Sequence, residues 1–395
     1  MKKAVLAVGL LLAGSFENAS AQSSMTLYGI VDNGLAYVSN IASGVNKPGS
    51  SSVQAVSGFG SGDRFGLTGK ENLGGGTSAV FTLESGFNGN NGVLVQGGRL
   101  FGRQAFAGLD NDRWGTMTLG RQYDFNFDYL APYLAWLQFG SIYGAHIGDV
   151  DNTWATFRLN NTVKYQLKPF AGLSLGALYA FSNQASGDAG TGFANNRAYS
   201  LGANYKAGSW SAALTWLHVS NPSSSAATGS NPNGAIGGEY SSASTIFYNV
   251  GFVTEQNVYG VALGYRFQNA NVNFVFTNTH LDYEGGHSMR VDNYEINGRY
   301  FVTPAMMLGI AYIFTDGSGY TGTGATAFAT GNRPKWHQVD VGATYLLSKR
   351  TDIHLSGIYQ RAAGDASTAA LNVLGPAGTG NTSQLAIVIG LRHRF

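Results

Sequence analysis

The stretch Val258-Tyr-Gly-Val-Ala-Leu-Gly-Tyr-Arg-Phe-Gln268 alternates large apolar side chains with small or polar ones. One face carries Tyr259, Val261, Leu263, Tyr265 and Phe267, and the opposite face carries Gly260, Gly264, Arg266 and Gln268. Successive side chains of a β-strand point to opposite faces, so this period of two predicts a strand with one apolar and one polar face.

The same alternation recurs along most of the chain, bounded by Gly, Asn, Asp and Ser. Near residue 158 it predicts one face with Phe157, Leu159, Val163, Tyr165 and Leu167 against another with Arg158, Asn160, Thr162, Lys164 and Gln166. A soluble sandwich has the same alternation with its apolar faces turned inward. A membrane barrel turns them outward and places aromatic side chains near the strand ends, as this sequence does.

Composition excludes several classes of protein. The 395 residues include 24 Lys+Arg, 22 Asp+Glu and 0 Cys, and 13% are aromatic. The absence of cysteine excludes a disulfide scaffold, a thiol enzyme and a Cys-ligated metal centre. A net charge of +2 gives no electrostatic basis for nucleic-acid binding. This many aromatic residues argues against disorder.

The N-terminus predicts export. Lys2 and Lys3 precede a short apolar segment, and Ala19-Ser-Ala21 fits a signal-peptidase site. We therefore predict that residues 1–21 are a cleaved signal peptide and that residues 22–395 form a single β-barrel domain.

The connectors between strands are of two alternating kinds, seven short turns and eight long loops. This count predicts an all-β, 16-stranded antiparallel transmembrane barrel with short periplasmic turns and long outer loops. Residues 243–253 also resemble a strand, and we place them inside an outer loop because an extra strand would break the parity. The predicted long loops are 40–57, 88–97, 122–155, 183–196, 220–256, 282–289, 316–334 and 362–382.

The last strand predicts an assembly signal. Ile387, Ile389, Leu391 and the terminal Phe395 share one parity, which we assign to the lipid-facing side. Aromatic side chains are typical of the membrane interface, so Phe395 is the candidate anchor and assembly signal.

Five pieces of sequence in order resemble the general diffusion porins of Gram-negative outer membranes, most closely those of β-proteobacteria. They are Met25-Thr-Leu-Tyr-Gly-Ile-Val-Asp32, Asp63-Arg-Phe-Gly-Leu-Thr-Gly-Lys-Glu-Asn-Leu-Gly-Gly-Gly76, Arg103-Gln-Ala-Phe-Ala-Gly-Leu109, Thr118-Leu-Gly-Arg-Gln122 and Gly390-Leu-Arg-His-Arg-Phe395. The resemblance implies a homotrimer of barrels in the outer membrane, each with a water-filled pore narrowed by an inward-folded third loop. It also implies contact with outer-membrane lipid and lipopolysaccharide, and insertion by the barrel-assembly machinery.

Alternation assigns basic residues to the pore. Arg64, Arg103 and Arg158 fall on the lumen parity, and the resemblance implies that they form a basic wall across from the third loop. A solvated lumen arginine without a special role is the alternative at each position. Arg121 shares parity with apolar neighbours at the mouth of its strand, so we predict a subunit contact or a loop tether for it.

Residues 122–155 are the candidate constriction loop. The segment is long and rich in aromatic side chains, which favours packing against the inner wall rather than exposure to water. Asp149 and Asp151 are the candidates for the acidic side of the constriction. The alternative for both is the capping of a turn.

The sequence predicts a channel for passive diffusion of small hydrophilic solutes and ions, with a weak preference for anions. No catalytic set, cofactor site or metal site is expected, since His280 and His287 lack a third ligand at a suitable spacing. A substrate-specific outer-membrane channel is the first alternative, and a secreted β-rich adhesin is the second.

Overall fold

The computed structural model describes residues 24–43, 47–185, 192–223, 231–241, 247, 251–320 and 331–395. The predicted signal peptide, residues 1–21, lies outside them, as does most of the segment 243–253. The described part of that segment includes Val253, the first residue of the eleventh strand.

Seventeen strands form one antiparallel sheet in the described residues. They are β1 Ser24–Ala42, β2 Gly49–Ser57, β3 Arg64–Gly74, β4 Thr77–Gly86, β5 Gln104–Asn111, β6 Gly115–Gln122, β7 Leu159–Gln166, β8 Leu173–Ala180, β9 Arg197–Ala207, β10 Trp210–Ser220, β11 Val253–Arg266, β12 Ala270–Tyr283, β13 Ser288–Thr303, β14 Met306–Tyr320, β15 Pro334–Leu346, β16 Thr351–Gly364 and β17 Ser383–Arg394. Short helical turns lie at Asn126–Leu130, Ala131–Tyr133, Ala135–Gln138, Ile142–Gly144, Ile147–Asp149, Gly192–Ala194 and Gly238–Ser241.

The sheet closes on itself and counts sixteen barrel strands, because β2 and β3 are two halves of one strand. Both pair with β1: β2 pairs with its outer half, and β3 with its first residues, Ser24 to Ile30. The last strand, β17, pairs with the other edge of β1 and closes the ring. Closure leaves no row of unpaired backbone groups facing lipid, which confirms the predicted fold class.

The second barrel strand is interrupted at residues 58–63, between β2 and β3. Gly58 and Gly62 both have φ +65°, a conformation that side chains other than glycine adopt at a cost. Between them Phe59 is fully buried and its ring lies 4.5 Å from that of His354. The prediction of a long loop at 40–57 was wrong, because Gly49–Ser57 form β2 and only residues 43–48 connect it to β1.

Another connector is also shorter than predicted. The segment 282–289 was expected to be a long loop, but β12 runs to Tyr283 and β13 begins at Ser288. Continued cross-strand pairing, Asp282 with Ser288, carries the hairpin almost to its tip.

The outer face of the barrel is apolar, as the alternation predicts. Leu263, Ile296 and Ile310 are exposed, whereas Ala262 and Asn297 on the opposite parity are buried inside the barrel. Such a surface would aggregate in water but suits a lipid bilayer. Large aromatic side chains flank the short turns and match an interfacial girdle: Phe170, Trp210, Phe267, Tyr300 and Phe301.

The predicted outward face fails at the start of β7. Phe157 and Leu159 are fully buried inside the protein rather than lipid-facing. The register between β6 and β7 shifts there, and Asn161 adopts φ +55°. This bulge inverts the phase of the alternation, so the prediction holds only from Thr162 onward.

In the described residues no helix has the length and apolar character needed to cross a membrane.

Candidate functional site

The third outer loop, residues 123–158 between β6 and β7, lies inside the barrel and will be called loop 3. Its aromatic and aliphatic side chains are buried against the inner wall, as Phe125, Leu130 and Trp136 illustrate. The sequence predicted this inward fold for residues 122–155, because exposing so many aromatic groups to water is unfavourable. Loop 3 therefore fills part of the lumen and narrows the path through it.

Glycines on the wall strands make room for the large side chains of loop 3. A Cβ built at Gly309 would lie 2.2 Å from Phe139 Cγ, and one at Gly342 would lie 2.2 Å from the Phe139 carbonyl oxygen. A Cβ at Gly176 would lie 2.2 Å from Phe125 Cζ. These distances are shorter than any van der Waals contact, so the fit of the loop depends on bare backbone at these positions.

A buried ionic cluster holds loop 3 to the opposite wall. His146 Nδ1 lies 2.5 Å from Asp151 Oδ2, and its Nε2 lies 3.1 Å from Glu295 Oε2 on β13. Thr277 on β12 donates to Asp151 Oδ2 at 2.7 Å, and the Ala135 N–H donates to Glu295 Oε1 at 2.7 Å. Burial disfavours the imidazolium, but the two carboxylates outweigh it and raise the pKa of His146 to about 10. His146 is therefore charged at neutral pH and joins the loop to the wall.

Asp149 and Asp151 do not line the pore, contrary to our expectation. Both side chains are 0% exposed. Asp149 accepts hydrogen bonds from the backbone N–H groups of Trp154 at 2.8 Å and Thr156 at 2.7 Å. Burial and the neighbouring Asp151 raise the pKa of Asp149 to about 7. These carboxylates fix the fold of loop 3, as in the turn-capping alternative, and ions in the lumen do not contact them.

The three predicted wall arginines do come together. Arg103 Cζ lies 6.0 Å and Arg158 Cζ lies 5.3 Å from the ring centroid of Tyr123, at the start of loop 3. Arg64 Nε donates to the Gly62 carbonyl oxygen at 3.1 Å, and its charge interacts with that of Arg103. The cluster is formed by the first residue of β3 and the residues that directly precede β5 and β7. The partial negative charge on the face of an aromatic ring favours cations beside it.

One carboxylate compensates part of this charge. Glu84 on β4 accepts from Arg103 Nε at 2.7 Å and from the Tyr28 hydroxyl at 2.9 Å. Our sequence reasoning missed Glu84, although a usable signal existed. Phe81 and Leu83 have the outward parity, so Glu84 is a lone carboxylate on the inward parity of a short strand.

Arg121 joins three outer segments. Its Nε donates to the Gly102 carbonyl oxygen at 2.8 Å, and its Nη1 donates to the Arg158 carbonyl oxygen at 3.2 Å and to Asn160 Oδ1 at 2.6 Å. Its Nη2 pairs with Glu239 Oε1 at 2.6 Å. The side chain is buried within its own chain. These contacts favour the predicted loop tether over the predicted subunit contact.

Two cavities lie on the two sides of loop 3. The outer one measures about 520 Å³ and is lined by Gln96, Gly97, Arg99, Trp154, Thr156, Arg158, Gly238 and Glu239. The inner one measures about 850 Å³, reaches the short turns and has as its charged lining residues Asp128, Lys168, Lys206, Arg266 and Arg299. Basic side chains outnumber acidic ones in both linings. Fixed charges beside a narrow aqueous path attract counterions and repel co-ions.

The C-terminal residue completes the barrel seam. The Phe395 N–H donates to the Gly29 carbonyl oxygen at 3.1 Å, and the Gly29 N–H donates back at the same distance. A Cβ at Gly29 would lie 2.3 Å from Phe395 Cζ, so the phenyl ring covers bare backbone of β1. Phe395 and the other three members of its predicted ladder are exposed on the outer face, as expected from their parity.

Comparison with known proteins gives a consistent result. A sequence profile described as Gram-negative porin matches residues 4–365. An outer membrane porin protein of Bordetella pertussis is 32% identical over 423 residues, and 100% of both chains is covered. Outer membrane porin protein 32 of Delftia acidovorans is 26% identical over 409 residues, again with 100% of both chains covered. The solved structure of an anion-selective porin from Comamonas acidovorans has the same fold, with a TM-score of 0.72, 23% identity, and coverage of 95% of this chain and 100% of that chain.

Proposed function

The chain belongs to the family of Gram-negative porins and forms an outer-membrane channel, and from this premise we propose that it passes small hydrophilic solutes and ions with a weak preference for anions. The observation that carries the proposal is the convergence of Arg64, Arg103 and Arg158 beside loop 3. Arginine suits this role because it stays charged at any accessible pH. Glu84 offsets only one of the three charges.

The preference is set by the charges at the narrowest part of the pore. The chain as a whole is almost neutral, at +2, but ions respond to the nearest fixed charges. The Debye length is about 8 Å at physiological ionic strength, so charges at the rim are screened whereas charges beside a narrow path are not. A unit pair at 4 Å in water is worth only about 1 kcal/mol. The preference is therefore a few-fold and fades in concentrated salt.

General diffusion is favoured over a substrate-specific channel. The aromatic side chains of loop 3, such as Phe125 and Phe139, are packed against the wall and are not arranged as a slide along the lumen. The wall positions that remain carry mainly Asn, Thr, Gln and Gly, which bind polar solutes weakly and without selection among them. Members of the family are channels, and we propose transport without catalysis for this chain as well.

The selectivity proposal is tested by zero-current potentials in planar bilayers under a KCl gradient. The double variant Arg64→Ala, Arg158→Ala is expected to shift the reversal potential toward cations. The matched control is Arg113→Ala, Arg350→Ala, which removes two exposed arginines at the short turns. Cation preference of the wild type, or equal shifts in both double variants, would refute the proposed basic wall.

We also propose that the chain assembles as a homotrimer in contact with outer-membrane lipid and lipopolysaccharide, after insertion by the barrel-assembly machinery. The exposed phenyl ring of Phe395 at the end of β17 supports the insertion step, since it ends an apolar ladder on the lipid face. Deletion of Phe395 is expected to lower the amount of heat-sensitive trimer on unboiled gels of outer-membrane fractions. Normal trimer levels in the deletion variant would contradict the assembly signal, and a lone monomer band for the wild type would contradict the trimer.

A further inference from the structure

A second outer loop also folds into the barrel. The fifth outer loop connects β10 to β11, and its segment 231–241 is described by the structure. Ala235 and Ile236 in this segment are buried. The Asn160 N–H donates to the Ala235 carbonyl oxygen at 2.7 Å. The Asn196 side chain binds both the N–H of Ile236, at 2.8 Å, and its carbonyl oxygen, at 2.6 Å. The segment is thus fastened to the wall strands and is not a free outer loop.

These contacts of segment 231–241 place the Glu239 carboxylate beside Arg121 and Arg99. Glu239 Oε1 lies 2.6 Å from Arg121 Nη2 and 3.4 Å from Arg99 Nη1. The Arg158 N–H donates to Glu239 Oε2 at 3.5 Å. The Glu239 side chain is 7% exposed, and that exposed edge lines the outer cavity together with Arg99 and Arg158.

The surroundings of Glu239 carry excess positive charge. The guanidinium groups of Arg99 and Arg121 pair with it, and Arg158 lines the same cavity with its Nε buried without a hydrogen-bond partner in the described structure. A group of this kind attracts a permeating anion. Glu239 already occupies the position beside the arginines that such an anion would take, since its carboxylate contacts the guanidinium groups of Arg121 and Arg99 and accepts from the Arg158 backbone N–H.

We propose that Glu239 is a selectivity-determining residue, an internal counterion that the fifth loop holds against the arginines of the outer cavity and that limits the anion preference of the channel. The proposal rests on the proposed function of the channel and adds a second site to it. Glu84 pairs with Arg103 on the β3–β5 side, and Glu239 offsets part of the positive charge of the outer cavity. The strength of the anion preference then depends on a loop and not only on the barrel wall.

The test compares Glu239→Gln with the wild type by reversal potentials under a KCl gradient. Glutamine keeps the length of the side chain and an oxygen that accepts from Arg121, so the main change is the loss of one negative charge. We expect the chloride-to-potassium permeability ratio to rise about two- to fivefold, the size of effect given by one unit charge near an aqueous path. The matched control is Glu71→Gln, which removes an exposed carboxylate near a short turn and is expected to leave the ratio unchanged.

A second variant separates charge from tethering. Glu239→Asp keeps the charge but shortens the side chain by one methylene group, and we expect it to retain the wild-type permeability ratio. A shift in Glu239→Asp as large as in Glu239→Gln would overturn the proposal, because the tether and not the charge would then set selectivity. An unchanged ratio in Glu239→Gln, or the same rise in Glu71→Gln, would also overturn it.

The same recordings keep this proposal distinct from the proposed basic wall. A cation-preferring wild type whose Glu239→Gln variant still shifts toward anions would refute the weak anion preference and support the role of Glu239. An anion-preferring wild type whose Glu239→Gln variant has an unchanged permeability ratio would support the weak anion preference and refute the role of Glu239.

Discussion

Loop 3 separates two walls of the barrel that use charge in opposite ways. On the β12–β15 side, His146 lies fully buried between Asp151 and Glu295 and pairs with both. On the β3–β7 side, Arg103 and Arg158 flank Tyr123 and are compensated only in part. Burial and pairing, and not the mere presence of a charge, therefore decide the role of a charged side chain. Paired and buried charges position the loop, whereas incompletely compensated charges next to a cavity act on ions.

The same contrast applies to the uncharged side chains. The β8–β15 wall offers bare glycine backbone to Phe125 and Phe139 and so holds the loop by close packing. The arginine wall instead offers long side chains that reach toward the lumen.

The largest effect is expected from His146→Ala. This change removes the cation between Asp151 and Glu295 and leaves two buried carboxylates without a counterion, and a buried ion pair that loses one partner costs about 3–5 kcal/mol. Loop 3 should then detach from the wall, and single-channel conductance should become larger and noisier.

The control for this variant is His280→Ala, which removes a histidine that is 40% exposed near the outer end of β12. Its conductance should match the wild type. A quiet, wild-type trace from His146→Ala would show that the ionic cluster does not hold the loop.

A smaller effect is expected from adding a side chain at Gly309, the wall glycine against which the Phe139 ring packs. Gly309→Ala places a methyl group within 2.2 Å of the Phe139 ring, and overpacking of this kind costs about 1–3 kcal/mol. Loop 3 should shift toward the lumen, with a lower conductance and a lower unfolding temperature. Gly298→Ala is the matched control, since its nearest contact is the Asn271 carbonyl oxygen at 3.4 Å. Equal conductance and equal unfolding temperature in the two variants would contradict the close packing of Phe139 on Gly309.

The smallest effect is a pH dependence of the loop attachment. The folded pKa of His146, about 10, is above its ordinary value of 6.5, so its stabilising contribution is complete below pH 6.5 and is lost as pH rises toward 10. Burial and the neighbouring Asp151 raise the pKa of Asp149 from its ordinary value of 3.8 to about 7. The contribution of Asp149 to the stability of loop 3 is therefore lost as pH rises from 3.8 to about 7. Asp151 acts in the other direction, since burial is outweighed by His146 and its pKa is lowered, so its contribution is lost only in acid.

These shifts predict the firmest attachment near pH 4, a partial loss up to about pH 7 from Asp149, and a further loss toward pH 10 from His146. The titratable groups that face the imidazole are Asp151 on its own loop, Glu295 on β13 and Asp340 on β15. Hydrogen exchange of loop 3 in detergent, corrected for intrinsic rates, should be faster at pH 9 than at pH 6. His146→Ala should abolish most of that difference, and slower exchange at pH 9 in the wild type would contradict the assignment.

Sequence reasoning reached the wall arginines but not their counterions. Arg64 was assigned by parity within a regular strand, where alternation is reliable. Glu84 was within reach of the same test and was overlooked. Glu239 was out of reach, because it lies on a loop whose position depends on contacts with Arg121 and Arg99 that are far from it along the chain.

Sequence reasoning failed at the start of β7 and in loop 3. The bulge at Asn161 interrupts the period of two, so the residues before it and after it follow opposite phases. Phe157 and Leu159 were predicted to face lipid because the alternation seen after Thr162 was extended back through the bulge at Asn161, where it inverts. Asp149 and Asp151 were placed at the pore by their loop, although burial draws them into the fold of that loop.

The barrel, its strand number and the inward fold of loop 3 were predictable from local features of the sequence. These follow from local periodicity, turn composition and the cost of leaving aromatic side chains in water, all of which act over short stretches of chain. Only the tertiary structure decided which charges face ions, because pairing joins residues as distant as Arg121 and Glu239, which are 118 positions apart. The free energy of a charge depends on its burial and partners, and these exist only after the barrel has closed and its loops have folded into it.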